Sequence, residues 1–528
     1  MFVLQSIVQK YIRRRKKLYV AFVDFQKAFD SVNRQALWGI LERRGIEGKM
    51  LKMLKSVYNR VRCCVRCLDE CSEYFECRSG LEQGCKLSPL LFSFLISEVA
   101  AEVIANGKHG VQLMPNTTEL FILLFADDVV LLSDTISGLQ NQLDFLQSSA
   151  HKLGLAVNTQ KTKVMVFRLG GHLAKHEKWF LDKERLEVVN EYRYLGNIFS
   201  TKLCTNTVLT DLACRAKASV MQVMKTLRKI GHITPDIFFK LFDAQIQPIL
   251  LYGAEIWGLD DCRLIENIHL FALKYFLNVS SRTPNVMVYG DTGRFPLNVN
   301  ATMRCIRCWI RILKMDEGRL PSKAYRMMMN CPNDVITWAS RVKSILLQHG
   351  FENVWESQHV ENETKFLRCL RESLIKQFLC HWETTLNTSN RYVFYRQFKV
   401  QCEGEEYLYA LDKKIFRDMY IRFRLGISDL YVHKLRYRPD EANTLCPGCR
   451  EKEEDEYHFM LECPALYDLR VKYILPFLCP SVNDPLMHLM TNREKSAIRS
   501  ISTYLYHAFR RRAESIEITE QDLFLVQE

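Results

Sequence analysis

The sequence predicts an α+β protein, and three observations along the chain support this class. Short apolar runs rich in strand-forming residues alternate with helical apolar patterns as far as about residue 205. Apolar residues then recur almost entirely at helical spacing up to about residue 440. A cluster of cysteine and histidine occupies residues 446–463, and a helical tail follows it. We therefore expect a sheet with helices, a long helical region and a small metal-binding module.

The composition is that of a globular protein. Of the 528 residues, 48% are hydrophobic and 25% are charged, which excludes a disordered chain, a collagen and a coiled coil. The net charge of +13 slightly favours a polyanionic partner. We find no apolar run of the roughly 18 residues that a membrane helix needs, so no membrane contact is expected. Nineteen cysteines without a secretory signal predict reduced thiols and an intracellular location, in the nucleus or the cytoplasm.

The strand-and-helix part divides into elements in order. Residues 1–12 repeat apolar side chains at helical spacing, and the run LYVAFVDF that follows is typical of a strand. Asp30 or Ser31 is expected to cap the next helix, which should end near Gly45. The later elements are a hairpin over 61–80, a buried helix in SPLLFSFLISEVAAEVIA, a hairpin of FILLFA with VVLLS, a helix over 139–153, a strand in TKVMVF and a strand pair in EYRYLGNIF.

The segment FADD, residues 125–128, carries the clearest chemical signal. Two adjacent aspartates lie at a turn between two hydrophobic runs, where like charges oppose each other unless a cation lies between them. Mg²⁺ in proteins is usually held by one or two carboxylates together with substrate phosphates. A solvated acidic turn gives the same pattern, so Asp127 and Asp128 alone leave both interpretations open.

Asp24 offers a third carboxylate. It interrupts the apolar strand LYVAFVDF, and it would join Asp127 and Asp128 if the two strands are neighbours. Such a cluster can hold two metal ions about 3.5–4 Å apart, one activating a hydroxyl and the other stabilising a leaving pyrophosphate. Asp30, six residues later, is interpreted as a helix cap rather than as a metal ligand.

Five segments in a fixed order carry a family resemblance. FVDFQKAFDSV, GLEQGCKLSPLLFSFLI, FADD, LGLAVNTQKTK and YLG resemble the motifs of reverse transcriptases, and more closely those of non-LTR retrotransposon polymerases. The resemblance covers roughly residues 1–300. It implies an RNA-directed DNA polymerase that uses two Mg²⁺ ions to add dNTPs to a primer 3′-hydroxyl on an RNA template. Its partners would be the RNA template and a DNA primer or target DNA.

The resemblance also implies roles for individual residues. Asp24 and Asp127 match the metal-binding aspartates, and Asp128 matches their neighbour. Lys161 matches the lysine of the fourth motif, a proton donor to pyrophosphate; without the resemblance it reads as a surface lysine.

Three further residues match the nucleotide-binding part of the family's site. Phe29 matches the steric gate against the ribose 2′-hydroxyl; without the resemblance it reads as a core residue. Gln83 and Gly84 match the segment beside the incoming nucleotide and the template base. The YLG segment at 194–196 matches a loop that grips the primer end.

The same resemblance implies a right-hand polymerase, in which the palm is an antiparallel sheet with helices and the thumb is helical. The predicted domains are a remnant of the fingers at 1–17, a palm at 18–204, a thumb at 205–300, a helical C-terminal region at 301–440, a CCHC-type zinc knuckle at 441–470 and a helical tail at 471–528. We expect most of the fingers, and an endonuclease domain, to lie upstream in a longer polyprotein.

The predicted thumb has two faces. An apolar stripe and a basic face alternate at helical spacing, and the basic face would track a phosphate backbone or simply face solvent. The stripe contains Ala216, Val220, Val223 and Leu227, and the basic face contains Arg215, Lys217, Lys225, Arg228 and Lys229.

Four residues near the C-terminal end have the types and spacing of a compact structural Zn²⁺ site. They are Cys446, Cys449, His458 and Cys463. The pattern also resembles the zinc knuckle downstream of many non-LTR polymerases. The loop REKEEDEY between the ligands is acidic and would repel phosphate, which favours a structural or protein-contact role. Arg470 and Lys472 offer a basic flank.

Two alternatives stay open. The chain could be a truncated, catalytically inactive remnant that at most binds nucleic acid or protein, because Glu82 stands where the family often carries Lys or Arg and much of the fingers is expected to be missing. An intron-type maturase is the third hypothesis. The zinc knuckle and the segment from YLG to YGAEIWG favour a retrotransposon origin over it.

Overall fold

The structure is a computed structural model that describes residues 1–59, 61–114, 119–230, 234–332, 335–436, 444–479 and 482–525, without the side chains of 228, 230 and 518–525. The chain forms two compact units. The first contains Met1–Val208 and Arg311–Arg341, and the second contains Leu209–Ile310 and Val342–Glu528. The predicted mixture of strands and helices is confirmed, with helices predominating after residue 205.

All strands lie within the first 200 residues, among those that the structure describes. The elements of this part are α1 (Phe2–Arg13), β1 (Leu18–Val23), α2 (Arg34–Arg43), α3 (Gly48–Tyr58), β2 (Arg62–Cys63), β3 (Arg66–Cys67), β4 (Glu70–Cys71), β5 (Phe75–Glu76), α4 (Ser88–Asn106), β6 (Val111–Gln112), β7 (Glu119–Leu120), β8 (Ile122–Phe125), β9 (Asp128–Ser133), α5 (Ile136–Lys152), β10 (Lys163–Phe167), β11 (Phe180–Leu181), β12 (Glu184–Arg185), β13 (Glu187–Val188), β14 (Glu191–Tyr194) and β15 (Asn197–Ser200).

A five-stranded sheet with the order β13-β10-β1-β9-β8 organises the first unit. Neighbouring strands run antiparallel, except that β10 and β13 pair in parallel, so the predicted antiparallel sheet has one parallel edge pair. Each of the six residues of β1 is buried, as expected of a central strand covered on both faces. Tyr19, Ala21 and Val23 share a core with α4 and α5, and the alternate residues face the other way.

Two local predictions in this unit needed correction. Strand β1 ends at Val23, so Asp24 follows the strand instead of interrupting it. The cap of α2 is Asn33, whose side-chain oxygen accepts hydrogen bonds from the backbone N–H groups of Gln35 and Ala36, and not Asp30 or Ser31. Asn is as good a cap as Asp, and here it directly precedes the first helical turn.

Helix α4 also corrects the prediction that no segment could cross a membrane. Its 19 residues are long and apolar enough by length and composition, although core helices pass the same test. In this structure 44% of the apolar window is buried, and α4 packs against α2 and α5. Phe92 and Leu95 are buried in that contact, while Glu98 lies at 3.1 Å from Arg44.

Helices make up the rest of the described chain, apart from loops and short irregular turns. They are α6 (Thr205–Ile230), α7 (Pro235–Leu241), α8 (Gln247–Leu250), α9 (Ala254–Trp257), α10 (Arg263–Leu277), α11 (Asn285–Thr292), α12 (Leu297–Leu313), α13 (Leu320–Met329), α14 (Trp338–Gln348), α15 (Glu352–Ser357), α16 (Glu363–Thr388), α17 (Val393–Phe398), α18 (Tyr407–Ala410), α19 (Lys414–Arg424), α20 (Tyr431–Leu435), α21 (Tyr467–Tyr473), α22 (Pro485–Thr491) and α23 (Lys495–Leu525).

The apolar stripe predicted on α6 is buried and its basic side is exposed. Ala216 and Val220 are fully buried, whereas Lys217, Lys225 and Lys229 are exposed. Arg215 forms an ion pair with Asp211, and the side chain of Arg228 is outside the described part. The start of the predicted zinc module at 441 lies outside the described residues as well.

Candidate active site and metal centre

Two aspartates meet at one end of the sheet because β1 and β9 run antiparallel. Val23 pairs with Val129, so one step further the register brings Asp24 opposite Asp128, the first residue of β9. Asp127 occupies the turn between β8 and β9. The predicted neighbourhood of the two strands is therefore present, and it places three carboxylates at one end of the sheet.

The three carboxylates lie close enough for their charges to act on each other. The pKa of Asp128 is raised, first by partial desolvation and then by the negative charges of Asp127 and Asp24. The pKa of Tyr192 is raised first by burial and then by the negative charges of Asp128 and Asp24. Hard oxygen ligands that repel one another suit a divalent cation such as Mg²⁺.

The turn that carries Asp127 is strained. Phe125 pairs with Asp128, which leaves Ala126 and Asp127 as a two-residue turn, and Ala126 has φ +52°. A residue with a Cβ pays a steric cost in this left-handed region, and such strain often marks a functional site. The turn thereby holds Asp127 exposed at the tip of the hairpin.

Lys161 lies beside Asp24 through a docked loop. The backbone N–H of Asn158 donates to the Asp24 carbonyl at 2.8 Å, and the Asp24 N–H donates to the hydroxyl of Thr162 at 3.2 Å. The Asn158 side chain in turn accepts the N–H of Lys161. These bonds bring the Lys161 ammonium to 3.8 Å from the Asp24 carboxylate.

Phe29, Gln83 and Gly84 form a second group of predicted residues. Phe29 is half-buried and stacks on Phe92, with 4.8 Å between ring centroids. Its carbonyl accepts the N–H of Leu81, and Gln83 donates to Asp30 at 3.4 Å. Asp30 therefore links the segment after Phe29 to the segment around Gln83. It does not cap α2, whose cap is Asn33.

Glycines permit this close approach. A Cβ at Gly80, which has φ +83°, would lie 2.7 Å from the Asp30 carbonyl oxygen. Gly84 has φ +89° and no neighbouring atom within 4 Å of a Cβ position, so it supplies a turn and leaves space in front of it. The predicted residues thus form two groups in the structure. Gln83 and Gly84 lie beside the segment that follows Phe29. The three aspartates and Lys161 form the other group.

Sequence reasoning did not single out several residues that hold the site. Tyr192, for example, stacks on Phe22 with 4.2 Å between ring centroids. Tyr194, the first residue of the predicted YLG segment, also contacts Phe22, and burial together with the charge of Asp128 raises the pKa of Tyr194 to about 12. Asn158 and Thr162 position Lys161. Asn158 and Thr162 flank Lys161 in the NTQKTK segment, and this proximity is the signal that could have identified them. The position of Tyr192 depends on strand pairing, which the sequence does not show.

The four predicted zinc ligands converge in the second unit. One ligand atom from each of Cys446, Cys449, His458 and Cys463 lies within 4.8 Å of the others. The sulfurs of Cys446 and Cys463 are 3.7 Å apart, close to the roughly 3.8 Å expected for two thiolates about 2.3 Å from a tetrahedral Zn²⁺. The Cys463 thiol beside Cys446 lowers the pKa of Cys446 to about 4.

His458 presents its Nε2 atom to this cluster. Nε2 is 3.4 Å from the Cys449 sulfur, while Nδ1 is 3.7 Å from a Glu462 carboxylate oxygen. A metal-bound histidine commonly places its second nitrogen against a carboxylate, which orients the ring. Cysteine and histidine donors in this arrangement fit Zn²⁺.

Two of the five carboxylates in the acidic loop between the ligands are buried in ion pairs, and the other three are exposed. Glu454 and Arg512 form a buried bidentate ion pair at 2.6 and 2.7 Å. Glu456 is buried against His433 and Arg436 at 3.0 and 2.6 Å. The expected repulsion of phosphate by this loop is therefore wrong for these two carboxylates, which anchor the module to the surrounding helices.

The predicted basic flank also needs correction. Arg470 is buried and donates to the carbonyls of Met460 and Cys463, so its charge stabilises the cluster's backbone. Lys472 is exposed and lies 5.0 Å from the centre of the Tyr473 ring. Only Lys472 of this pair is available to a ligand.

The other cysteines behave as packing or surface residues. None of the nineteen, all of which lie in the described part of the chain, forms a disulfide. Cys305 is buried and donates to the Ala254 carbonyl, which makes it a core residue. The residues between Cys63 and Cys85 form the predicted hairpin region, as two nested antiparallel pairs.

Comparison with known proteins identifies the first unit. Residues 3–199 match the family described as reverse transcriptase (RNA-dependent DNA polymerase). The chain contains a reverse transcriptase domain. The match spans β1, both FADD aspartates, Lys161 and β14, so it covers the residues predicted for the polymerase active site but not the predicted thumb.

The relatives of this reverse transcriptase domain come from retrotransposons. The chain is 24% identical over 206 residues to a "Retrovirus-related Pol polyprotein from type-1 retrotransposable element R2" of Nasonia vitripennis, covering 38% of this chain and 20% of the relative. It is 25% identical over 345 residues to a protein of the same name in Popillia japonica, covering 62% and 46%.

A third relative carries the polymerase in its name. The chain is 26% identical over 244 residues to the "Probable RNA-directed DNA polymerase from transposon BS" of Drosophila melanogaster, covering 45% of this chain and 26% of the relative. The chain thus spans between a fifth and about half of the length of these three relatives. The predicted resemblance to non-LTR retrotransposon reverse transcriptases is confirmed.

Proposed function

We propose that the chain is an RNA-directed DNA polymerase of a non-LTR retrotransposon, with its active site at Asp24, Asp127 and Asp128. The observation that carries this proposal is the antiparallel register that places Asp24 opposite Asp128 at the end of the sheet. The raised pKa of Asp128 supports it, because a cluster of like charges gains most from a bound cation.

The proposed metal ligands are Asp24 and Asp127, with Asp128 as their neighbour. Two Mg²⁺ ions held there would activate the primer 3′-hydroxyl and stabilise the pyrophosphate that leaves. Lys161, held beside Asp24 by the Asn158 loop, would supply a proton to the pyrophosphate. Phe29 would exclude a ribose 2′-hydroxyl, with Gln83 and Gly84 lining the nucleotide and template side.

The domain division is part of the same proposal. The sheet and its helices at 18–204 would be the palm, α6 and the following helices to residue 300 the thumb, and residues 1–17 part of the fingers. The exposed lysines of α6 support a thumb that tracks a phosphate backbone. The RNA template, a DNA primer or target DNA and dNTPs are the proposed partners, at an intracellular site and without a membrane.

A structural zinc site at 446–463 completes the proposal. The converging sulfur and nitrogen atoms support Zn²⁺, and the buried pairs Glu454–Arg512 and Glu456–Arg436 support a structural role for the module. Bound zinc would fix the ligand loop, and those pairs would pass that rigidity to α20 and α23.

Primer extension on an RNA template with Mg²⁺ tests the polymerase proposal. Asp127→Asn should lower the rate of nucleotide addition by about 10³-fold or more, equivalent to about 4 kcal/mol of transition-state stabilisation. Asp144→Asn, which changes an exposed aspartate of α5, is the matched control and should keep full activity. Equal extension by both variants would contradict the proposed mechanism.

The same assay separates the inactive-remnant hypothesis. Salt-dependent RNA binding with incorporation at background level, both in this chain and after the sequence expected upstream is added, would favour the remnant. Incorporation that appears only with the upstream sequence would favour a polymerase that needs its complete fingers.

A further inference from the structure

A basic cleft in the second unit has none of the candidate zinc ligands among its lining residues. One wall is the segment Val279–Pro284 after α10, and the other runs from the end of α19 to α20. The cleft encloses about 470 Å³. Among the described residues that line it, Arg282, Arg422 and Lys434 are cationic and Asp429 is the acid. The excess of positive charge favours an anion.

A second cavity shares the first wall and continues the cleft. It encloses about 530 Å³ and is lined by Arg282 and Thr283 as well as by the rings of Phe271 and Tyr275. Phe271 also lies 5.6 Å from the ammonium of Lys217, on the exposed side of α6. A cationic cavity therefore opens beside an aromatic one, with Arg282 common to both.

The walls are held by internal bonds, which means that the cleft is formed without a ligand. Lys274 donates to the Ser281 carbonyl at 2.8 Å, and Asn278 donates to Asp418 at 2.6 Å. On the opposite wall, the hydroxyl of Ser428 lies 2.7 Å from Nδ1 of the buried His433. A preformed site loses less entropy on binding than a flexible one.

We propose that this cleft binds a single-stranded nucleic acid, with a backbone phosphate against Arg282 and Lys434 and a base against Phe271. Phosphate contacts combined with base–aromatic stacking are the means by which proteins hold single strands without sequence preference. An isolated phosphate would occupy the cationic cavity alone. A single strand would use both cavities, with its phosphate in the cationic one and its base in the aromatic one, and we therefore favour a single strand. The proposal does not depend on polymerase activity.

The test is the binding of a fluorescein-labelled 20-nucleotide single-stranded DNA, measured by anisotropy between 50 and 200 mM salt. The full chain with Asp127→Asn is used, with zinc and without dNTPs, so that the result is independent of nucleotide addition. Arg282→Ala with Lys434→Ala should weaken binding by about 5–20-fold at 100 mM salt. It should also reduce the logarithmic salt slope by about 1.4, since each lost contact to a single strand removes about 0.7.

The matched control is Lys376→Ala with Arg391→Ala, which removes one Lys and one Arg that are exposed in the same unit and line neither cavity. Its affinity should stay within twofold. Arg282→Gln with Lys434→Gln, checked for an unchanged melting temperature, guards against a folding defect. Equal losses in the cleft variant and the control would overturn the proposal.

Two further ligands separate the sources of phosphate. Inorganic phosphate at constant ionic strength should leave the single strand bound, and complete displacement by millimolar phosphate would identify a free-phosphate site instead. A 20-base-pair duplex should lose less affinity than the single strand in the cleft variant. An equal loss for the duplex would overturn the assignment to single strands.

Discussion

Phe29 illustrates how one side chain serves both the core and the proposed nucleotide site. Its ring stacks on Phe92 and is half-buried, so part of the ring stays accessible, while its backbone carbonyl accepts the N–H of Leu81. We expect Phe29→Val to raise incorporation of ribonucleotides relative to deoxynucleotides by about 10–100-fold, because the ring that excludes the 2′-hydroxyl is shortened. Competition between rNTP and dNTP in primer extension measures this ratio.

Stability separates this effect from simple loosening of the core. Phe29→Val should cost about 2 kcal/mol of unfolding free energy, less than a fully buried Phe would, because Phe29 is only half-buried. Phe92→Leu also removes the stacked pair but leaves the proposed gate in place. If Phe92→Leu relaxed sugar selection as much as Phe29→Val, the gate assignment would be wrong.

His433 predicts how stability changes with pH. It is buried, and the backbone N–H of Ser428 donates to its Nδ1, so Nε2 carries the proton and donates to Glu456. Burial is the largest cause that lowers the pKa of His433, with a smaller contribution from Arg436, although Glu456 and Glu454 oppose the shift. The neutral ring therefore stabilises the fold above the unfolded-state pKa of about 6.5, and this stability is lost as pH falls through the lowered pKa.

The measurement is the melting temperature of the zinc-bound chain from pH 8 to pH 5. Acid weakens thiolate ligands too, so the comparison is with His433→Gln, which keeps those ligands. The difference in stability between the two chains should shrink as pH falls below about 6.5. A difference that stays constant over this range would contradict the predicted protonation.

At the scale of elements, the zinc module depends on a helix far away in sequence. Arg512 of α23 forms a bidentate pair with Glu454, and both side chains are buried. Arg512→Ala would leave the buried Glu454 carboxylate without its counter-ion and should cost about 3–5 kcal/mol of unfolding free energy. Arg510→Ala is the matched control, because Arg510 forms an exposed pair with Glu514 that contributes only about 0.3–0.5 kcal/mol.

Denaturant unfolding of the two variants measures this difference. Equal stability of Arg512→Ala and Arg510→Ala would show that the module is held by the metal and its apolar contacts alone.

Removing the metal is a second test of the link between the zinc module and α23. A chelator should unfold the ligand loop, because structural zinc contributes directly to the folding of small modules. Hydrogen exchange should then rise in 446–463 and in the part of α23 around Arg512, and stay unchanged in the sheet of the first unit. Uniform protection with and without chelator would contradict a structural zinc site.

At the scale of the whole molecule, the chemistry is divided between two units. The aspartates and Lys161 belong to the first unit, and the zinc ligands and the basic cleft belong to the second. We therefore expect nucleotide addition and part of nucleic-acid binding to be separable. Asp127→Asn should remove extension while retaining RNA affinity within about threefold in the absence of Mg²⁺, measured by anisotropy. A large loss of affinity in this variant would contradict the separation.

Elements with strong local patterns could be predicted from the sequence. Helix α5 has a regular apolar stripe and a Thr135 cap, and the buried helix α4 begins with Pro89 in its first turn, so neighbouring residues contain the information needed. The FADD hairpin was equally local. The cap of α2 was missed because Asp30, Ser31 and Asn33 are all suitable caps, and which of them directly precedes the first helical turn depends on where the helix begins.

The fates of charged residues were harder to predict. REKEEDEY reads as an exposed acidic loop, yet Glu454 is only 2% exposed in the structure. Its burial could not be predicted from the loop, because its partner Arg512 lies 58 residues away in the sequence. Arg470 reads as a free cation because its partners are backbone carbonyls, of Met460 and Cys463, and a carbonyl acceptor leaves no mark in the sequence. Nothing in the sequence indicated that residues 311–341 belong to the first unit.

The sequence by itself determined the types of element, the reverse transcriptase motifs and the identity of the four candidate zinc ligands, since each depends on residues close together in the chain. Tertiary structure alone decided that Asp24 lies opposite Asp128, that Lys161 reaches Asp24, and that a basic cleft forms between Arg282 and Lys434. Strand register and helix packing bring these side chains together over long separations. The burial of a side chain and the charges around it depend on residues that are distant in sequence. They are therefore set only when the chain folds.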